Sequence, residues 1–151
     1  MTKTKIDASH ETYSIQEVSR LSGLSIPTLR YYEEIGLIPA VPRDKSSGHR
    51  RYSADTLQLI ESLSNLRVVG FSPEEMREYV SLRKGGEETA EEKRELFRSH
   101  AREIGKQIAL LEKRRRYLKL KIDYWDAQVR GDADLLEVIT QEYLRIVKEM
   151  R

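Results

Sequence analysis

The side chains best suited to chemistry sit close together. Ser25, Thr28, Arg30, Tyr31 and Tyr32 fall within eight residues, and Arg43, Lys45, His49, Arg50, Arg51 and Tyr52 fall within ten. A guanidinium can grip a guanine edge bidentately or hold a phosphate, and hydroxyls suit phosphate oxygens. Between residues 20 and 52 six basic side chains face three acidic ones, although the whole 151-residue chain is nearly neutral, with 27 Lys+Arg against 25 Asp+Glu. Arg30 fits a base edge or a phosphate. Tyr32 fits an apolar core as well as a phosphate contact, and Arg51 fits either a phosphate or a solvated surface. Catalysis has no comparable cluster. The chain has no cysteine and three dispersed histidines, His10, His49 and His100, so thiol chemistry and a histidine metal site are not expected. Neither a Gly-rich phosphate loop nor paired carboxylates in an apolar setting stands out. The reading is a non-enzyme that uses no cofactor and no metal.

Short, well-punctuated helices must position these residues. Ser14-Ile15-Gln16-Glu17 is a capping box, with Val18 and Leu21 continuing an apolar face until Gly23 breaks it. Ser25 caps a second helix, tolerates Pro27 in its first turn, and is followed by Ile26, Leu29 and Tyr32 on an apolar face that ends near Gly36. Residues 37–52 hold two prolines and the turn chemistry of Ser46-Ser47-Gly48, which predicts an extended pair around a flexible tip. Two helices across a Gly turn suit a helix-turn-helix whose second helix enters the DNA major groove. Alone they also suit an ordinary bundle corner. The basic hairpin, a wing able to lie along the backbone or reach the minor groove, tips the balance toward DNA.

Beyond the wing, Ser53 opens a helix with Leu57, Ile60, Leu63 and Leu66 on one face, and Ser72-Pro73-Glu74-Glu75 opens another that closes near Gly85-Gly86. One long element follows. Phe97, Ala101, Ile104, Ile108, Leu111, Arg115, Leu118, Ile122, Trp125 and Val129 alternate spacings of four and three, the seam of a coiled coil. Asp134 is expected to recap a last helix with Leu136, Ile139, Tyr143, Ile146 and Met150 on its apolar face. The fold class is therefore mostly α: an N-terminal winged helix-turn-helix, a long dimerisation coiled-coil helix and a short C-terminal helix. The domains expected are a flexible tail at 1–11, a DNA-binding domain at 12–86, the coiled-coil helix at 89–130 and the last helix at 132–151, an effector or oligomerisation element. No apolar run is long enough for a membrane span, and residues 1–10 lack the apolar core of a signal peptide, so a cytoplasmic, nucleoid-associated protein is expected.

Three strings carry a family resemblance: Tyr13-Ser14-Ile15-Gln16-Glu17-Val18, the run from Thr28 to Pro39, and Gly48-His49-Arg50-Arg51-Tyr52. With Leu66-Arg67-Val68-Val69-Gly70-Phe71-Ser72, they resemble the MerR family of bacterial transcription regulators over residues 12–130. The resemblance implies a homodimer joined by an antiparallel coiled coil, bound to a pseudo-palindromic operator in double-stranded promoter DNA. It also implies action on RNA polymerase indirectly, through bending and untwisting of a promoter whose elements are spaced too far apart. By matching position, Arg30 would read the major groove beside Tyr31 and Tyr32. Arg43, Arg50 and Tyr52 match wing positions, while His49 stands where many relatives have Tyr. Arg67 fits a backbone contact or a structural ion pair.

Family members that sense metals or oxidants use cysteines near the end of the dimerisation helix, and this chain has none. The expected signal is therefore a non-thiol one. Tyr117, Tyr124, Trp125 and Tyr143 are a candidate pocket for a small-molecule effector, with plain helix packing the simpler role for the same stripe. Arg115 on the seam suits either a register-fixing polar residue or a partner for an acid on another helix. The alternative to an effector-responsive regulator is an effector-free architectural or excisionase-like DNA-binding protein, which would need neither the long rod nor the apolar last helix. Charge adds a constraint: residues 93–121 carry net +8, between blocks of −4 at 74–92 and −3 at 122–151. Apposition of these blocks across a dimer predicts a dimerisation constant that weakens with salt in sedimentation equilibrium; insensitivity to salt would refute the pairing.

Overall fold

The computed structural model describes residues 12–150, so the tail expected at 1–11 lies outside the described residues. The order is β1 (Thr12–Tyr13), α1 (Ile15–Ser22), α2 (Ile26–Glu34), β2 (Tyr52–Ser53), α3 (Ala54–Val68), α4 (Pro73–Arg83), a 3-10 turn (Gly86–Thr89), α5 (Ala90–Arg130) and α6 (Ala133–Met150). The chain divides into two compact units between Leu96 and Phe97, inside α5.

Serines start the helices of the first unit. Ser14, Ser25, Ser53 and Ser72 each accept a hydrogen bond from the backbone N–H three residues on, and Glu17 and Glu75 complete reciprocal boxes. This satisfies donors that a helix cannot satisfy internally. Gly23 closes α1 at φ 74°, a left-handed conformation open to glycine without steric cost, and its N–H bonds the Ser19 carbonyl at 2.9 Å. That turn lets α2 leave α1 at once.

A single core holds the unit together. Val18, Leu24, Leu29, Tyr32, Leu37, Ile38, Tyr52, Leu57, Ile60, Leu63, Leu66, Phe71, Met76 and Leu96 are buried in it. The spacing-based face of α3 is recovered in full. On α1 the inner positions are Val18 and Ser22, whereas Leu21 is exposed, because residues four apart share a face more closely than residues three apart. Polar clamps fix the helix ends. Ser64 of α3 donates to the Ser22 carbonyl at 2.6 Å, and Arg77 of α4 donates to the Ile35 carbonyl at 2.7 Å, just past the end of α2.

The wing is less sheet-like than its sequence suggests. Its arms meet through a single antiparallel bridge, Arg43 with Arg50, while its outgoing arm forms β2 and pairs with β1, Tyr13 opposite Tyr52.

In the second unit, α6 packs against α5. Ile139 and Ile146 are buried, Leu136 and Tyr143 half-buried, and on α5 Ala127 is fully buried with Tyr117, Leu120, Lys121 and Tyr124 half-buried. Met150, expected on this face, is exposed. The cap of α6 is Asp132, whose carboxylate accepts from the Leu135 N–H at 3.0 Å, and not Asp134, which lies in the first turn. Arg116 faces Glu142 at 3.7 Å and Glu149 at 3.8 Å, so part of the basic block is matched to the acidic C-terminal block within one protomer.

Two substitutions separate packing from polarity in the core. Leu29→Ala, which empties a fully buried site, is expected to cost about 2–5 kcal/mol in chemical denaturation. The Tyr52 hydroxyl is buried without a hydrogen-bond partner, so Tyr52→Phe is expected to hold or raise stability by about 1 kcal/mol. A large loss in Tyr52→Phe would show that the hydroxyl is satisfied in solution.

Candidate nucleic-acid interface

The first turn of α1, helix α2 and the wing enclose a groove of about 810 Å³. Arg30, Arg43, Arg50 and Arg51 line it together with His49, against one acid, Asp44. Ser25 and Thr28 sit at the start of α2, where their hydroxyls hydrogen-bond each other at 2.7 Å. Arg30 is exposed one helical turn later, and Tyr31 beside it is about half exposed, at 47%. Arg67 of α3 donates to the Thr28 hydroxyl at 3.4 Å, which brings a cation to the same helix start.

Other predicted residues have structural duties. Arg50 is half-buried and pairs with Glu33 of α2 at 3.3 Å, joining the wing to the second helix. Arg51 donates to the hydroxyl and the carbonyl of Thr12, at 3.0 and 3.1 Å, fastening β1 to the wing. Arg43 donates to the Gly48 carbonyl at 3.2 Å across the hairpin.

Two tyrosines are corrections. Tyr52 is fully buried and Tyr32 nearly so, and burial pushes both phenols up from their ordinary value. Tyr52 is a core residue with no surface to offer DNA, and Tyr32 is a core residue that keeps 4% of its surface exposed. Tyr32 follows from its apolar spacing with Leu29; Tyr52 does not, because its burial depends on pairing with β1. The groove also contains Thr12, Ser14 and Gln16, which the basic pattern could not single out. Gln16 stands in the first turn of a serine-capped helix, which was the one available signal.

The wing tip is built around a carboxylate. Asp44 accepts from the Ser46 N–H at 2.9 Å, the Ser46 hydroxyl at 2.5 Å, the Ser47 N–H at 2.8 Å and the Ser47 hydroxyl at 3.1 Å. These bonds, the Ser46 hydroxyl's foremost, hold its pKa well below the ordinary aspartate value of 3.8. Gly48 closes the turn at φ 70°, where any other residue would be strained. Among the described residues the one acid lining the groove is thus occupied locally, and the arginines set its sign.

The seam residues Phe97, Ala101, Ile104, Ile108, Leu111, Arg115, Leu118, Ile122, Trp125 and Val129 are all exposed along α5 in the protomer. Of the candidate pocket residues, Tyr124 and Tyr143 line a cavity between α5 and α6, and Tyr117 stacks against Tyr143 at 5.7 Å between ring centroids. Trp125 does not line it; it is 61% exposed and meets Tyr124 edge-on. Among the described residues there is no group of His, Asp or Glu arranged to hold a metal, and no helix is long and apolar enough to cross a membrane.

A helix-turn-helix with a basic wing defines a DNA-binding protein. Comparison with known proteins makes this specific. Residues 14–52 match the MerR family regulatory protein profile, and residues 55–120 match the MerR DNA-binding profile. The HTH-type transcriptional regulator HmrR of Rhizobium leguminosarum bv. viciae is 32% identical over 127 residues, 84% of this chain and 97% of that protein. A crystal structure of a putative MerR family transcriptional regulator from Listeria monocytogenes is 34% identical, with TM-score 0.59 over 86% of this chain and 98% of that one. The structure of HiNmlR, a MerR family regulator lacking the sensor domain and bound to promoter DNA, is 30% identical, with TM-score 0.55 over 80% and 96% of the two chains. The chain belongs to the MerR family. It is a DNA-binding transcription regulator.

The wing tip yields a prediction with a sign. Because folding depresses the Asp44 pKa, its contribution is full above the ordinary value of 3.8 and is lost as pH falls through the lower folded value. Amide shifts of Ser46 and Ser47 in NMR should therefore titrate below pH 3.8. Asp44→Ala should lower the melting temperature slightly at neutral pH, by an amount that shrinks as pH falls below 3.8, and weaken DNA binding severalfold. An unchanged affinity would show that the turn is ordered without its carboxylate.

Proposed function

We propose that this regulator acts as a homodimer on a pseudo-palindromic promoter operator and controls transcription by bending and untwisting the DNA in response to a non-thiol signal. The observation that carries this is the basic groove between α2 and the wing. Arg30 reads the base edges in the major groove, with Ser25, Thr28 and Tyr31 beside it on the backbone. Arg43, His49 and Arg51 follow the phosphates from the wing, Arg67 from the far side, and Arg50 acts chiefly by holding the wing to α2. HiNmlR is described as bound to promoter DNA, and its likeness to this chain supports a promoter as the target.

The exposed apolar seam of α5 supports dimerisation through an antiparallel coiled coil, since a row of this length is stable in water only when covered. Two recognition helices at a fixed separation turn promoter geometry into energy. Bending a site of this size costs on the order of 1–6 kcal/mol, so an effector coupling of ~1–3 kcal/mol can tilt the balance between two DNA shapes. RNA polymerase is then affected through the promoter, without a dedicated contact. The absence of cysteine from the chain supports a signal other than thiol chemistry.

Hydroxyl-radical footprinting on the gene's own upstream region tests the reading. A symmetric footprint over an overlong promoter spacer is expected; a site outside any promoter would contradict it. In gel shifts, Arg30→Ala should cost ~1–3 kcal/mol of operator affinity while changing non-specific binding little. Equal losses on both DNAs would move Arg30 from base reading to the backbone.

A further inference from the structure

The second unit contains a cavity of about 220 Å³ between α5 and α6, lined by Leu120, Lys121, Tyr124, Ile139, Thr140 and Tyr143. It is smaller than the ~300–1,000 Å³ of sites for drug-sized ligands, so it suits a compact metabolite. Its walls are aliphatic and aromatic, with one full charge. That charge is Lys121, whose ammonium lies 4.3 Å from the Tyr143 ring centroid and 5.7 Å from that of Tyr124. Two negative ring faces hold the cation in place without neutralising it.

The acids around Lys121 are engaged elsewhere. Asp123 pairs with Lys119 at 2.8 Å, and Glu142 pairs with Arg145 at 3.2 Å and Arg116 at 3.7 Å. Among the described residues no carboxylate lies within ion-pair distance of Lys121. The wall is also preset. The Tyr117 ring packs against that of Tyr143 at 5.7 Å between centroids, and the Tyr143 hydroxyl beside it raises the Tyr117 pKa. A protein at liberty to neutralise this lysine with one more acid has instead left it over an apolar recess.

We infer that the α5–α6 cavity binds a small single-ring aromatic carboxylate, its ring against Leu120 and Ile139 and its carboxylate on Lys121 where the rings of Tyr124 and Tyr143 hold it. The ring replaces water against Leu120 and Ile139, and the carboxylate supplies the counter-charge that Lys121 lacks. Binding joins α6 to α5 through one molecule, so the occupied site stiffens their packing. This gives the non-thiol signal of the preceding section a chemical class, and it rests on that reading for its regulatory consequence only.

The chain's one tryptophan reports on the site, because Trp125 meets the Tyr124 ring at 5.2 Å between centroids. The full-length protein, without DNA, is titrated with benzoate, 4-hydroxybenzoate and phenylacetate, and with benzamide as the uncharged match, by fluorescence and calorimetry. A saturable response to at least one carboxylate is expected, with benzamide at least about tenfold weaker. Lys121→Gln should lose at least about tenfold in carboxylate affinity and Lys121→Arg should retain it, each with wild-type helix content. Equal binding of benzamide and the acids, indifference to Lys121→Gln, or no saturable binding of any acid overturns the site. Operator affinity with and without the bound acid is measured separately. Binding without an operator effect keeps the site and refutes its role as signal; an operator response to cell extract that survives Lys121→Gln keeps the signal reading and refutes this site as its sensor.

Discussion

The ion pair between Glu33 of α2 and Arg50 of the wing sets the shape on which the DNA-facing surface depends. A hairpin whose arms share one bridge has little stability of its own. It needs outside attachment to hold one angle to the recognition helix. Glu33 and Arg50 supply it at a half-buried site, where screening is weaker than in open water. Arg51 adds a second attachment through Thr12, and the buried Tyr52 ring a third through the core. Three consecutive residues thus bind the wing to α2, to β1 and to the interior. The pattern explains why a run that looks like DNA contacts is partly scaffold. Arginine serves both purposes because its planar fork can pair a carboxylate and still leave donors directed outward.

The recognition helix is restrained with equal economy. Leu29 and Tyr32 seat one side of it in the core, Ser25 caps its start, and Arg77 closes the carbonyl that follows its end. Arg30 and Tyr31 project from a helix with little freedom to rotate. Under the mechanism proposed above, rigidity of this kind would let two copies of the helix measure distance along DNA, which a mobile helix could not do.

Local chemistry was the legible part of this protein. The serine caps, the Gly23 turn and the apolar face of α3 depend on interactions within four residues, so spacing reveals them. The same holds for the seam of α5 as a pattern, since its residues share one side of a single helix. What depended on contacts distant in sequence was not legible. The pairing of Tyr13 with Tyr52 joins strands of two residues each, too short for any alternation to show, and it is this pairing that withdraws Tyr52 from the surface. The ion pair of Glu33 with Arg50 spans 17 positions. Asp132 and Asp134 both follow Gly131, and only the helix geometry chooses the first as the cap. The α5–α6 face shows the same limit: aromatic spacing marks Tyr124 and Tyr143, which line the cavity, but cannot separate Trp125, which does not, from Lys121, which the rings hold over it.

The central claim is that α2 and the wing meet DNA as one preformed surface. A crystal structure of the dimer on its operator tests this most directly. Arg30 is expected at a base edge in the major groove, Arg43 and His49 on phosphates, and Arg50 still paired with Glu33 as in the free protein. A complex in which Arg50 has left Glu33 and the wing has swung to a new angle would contradict it.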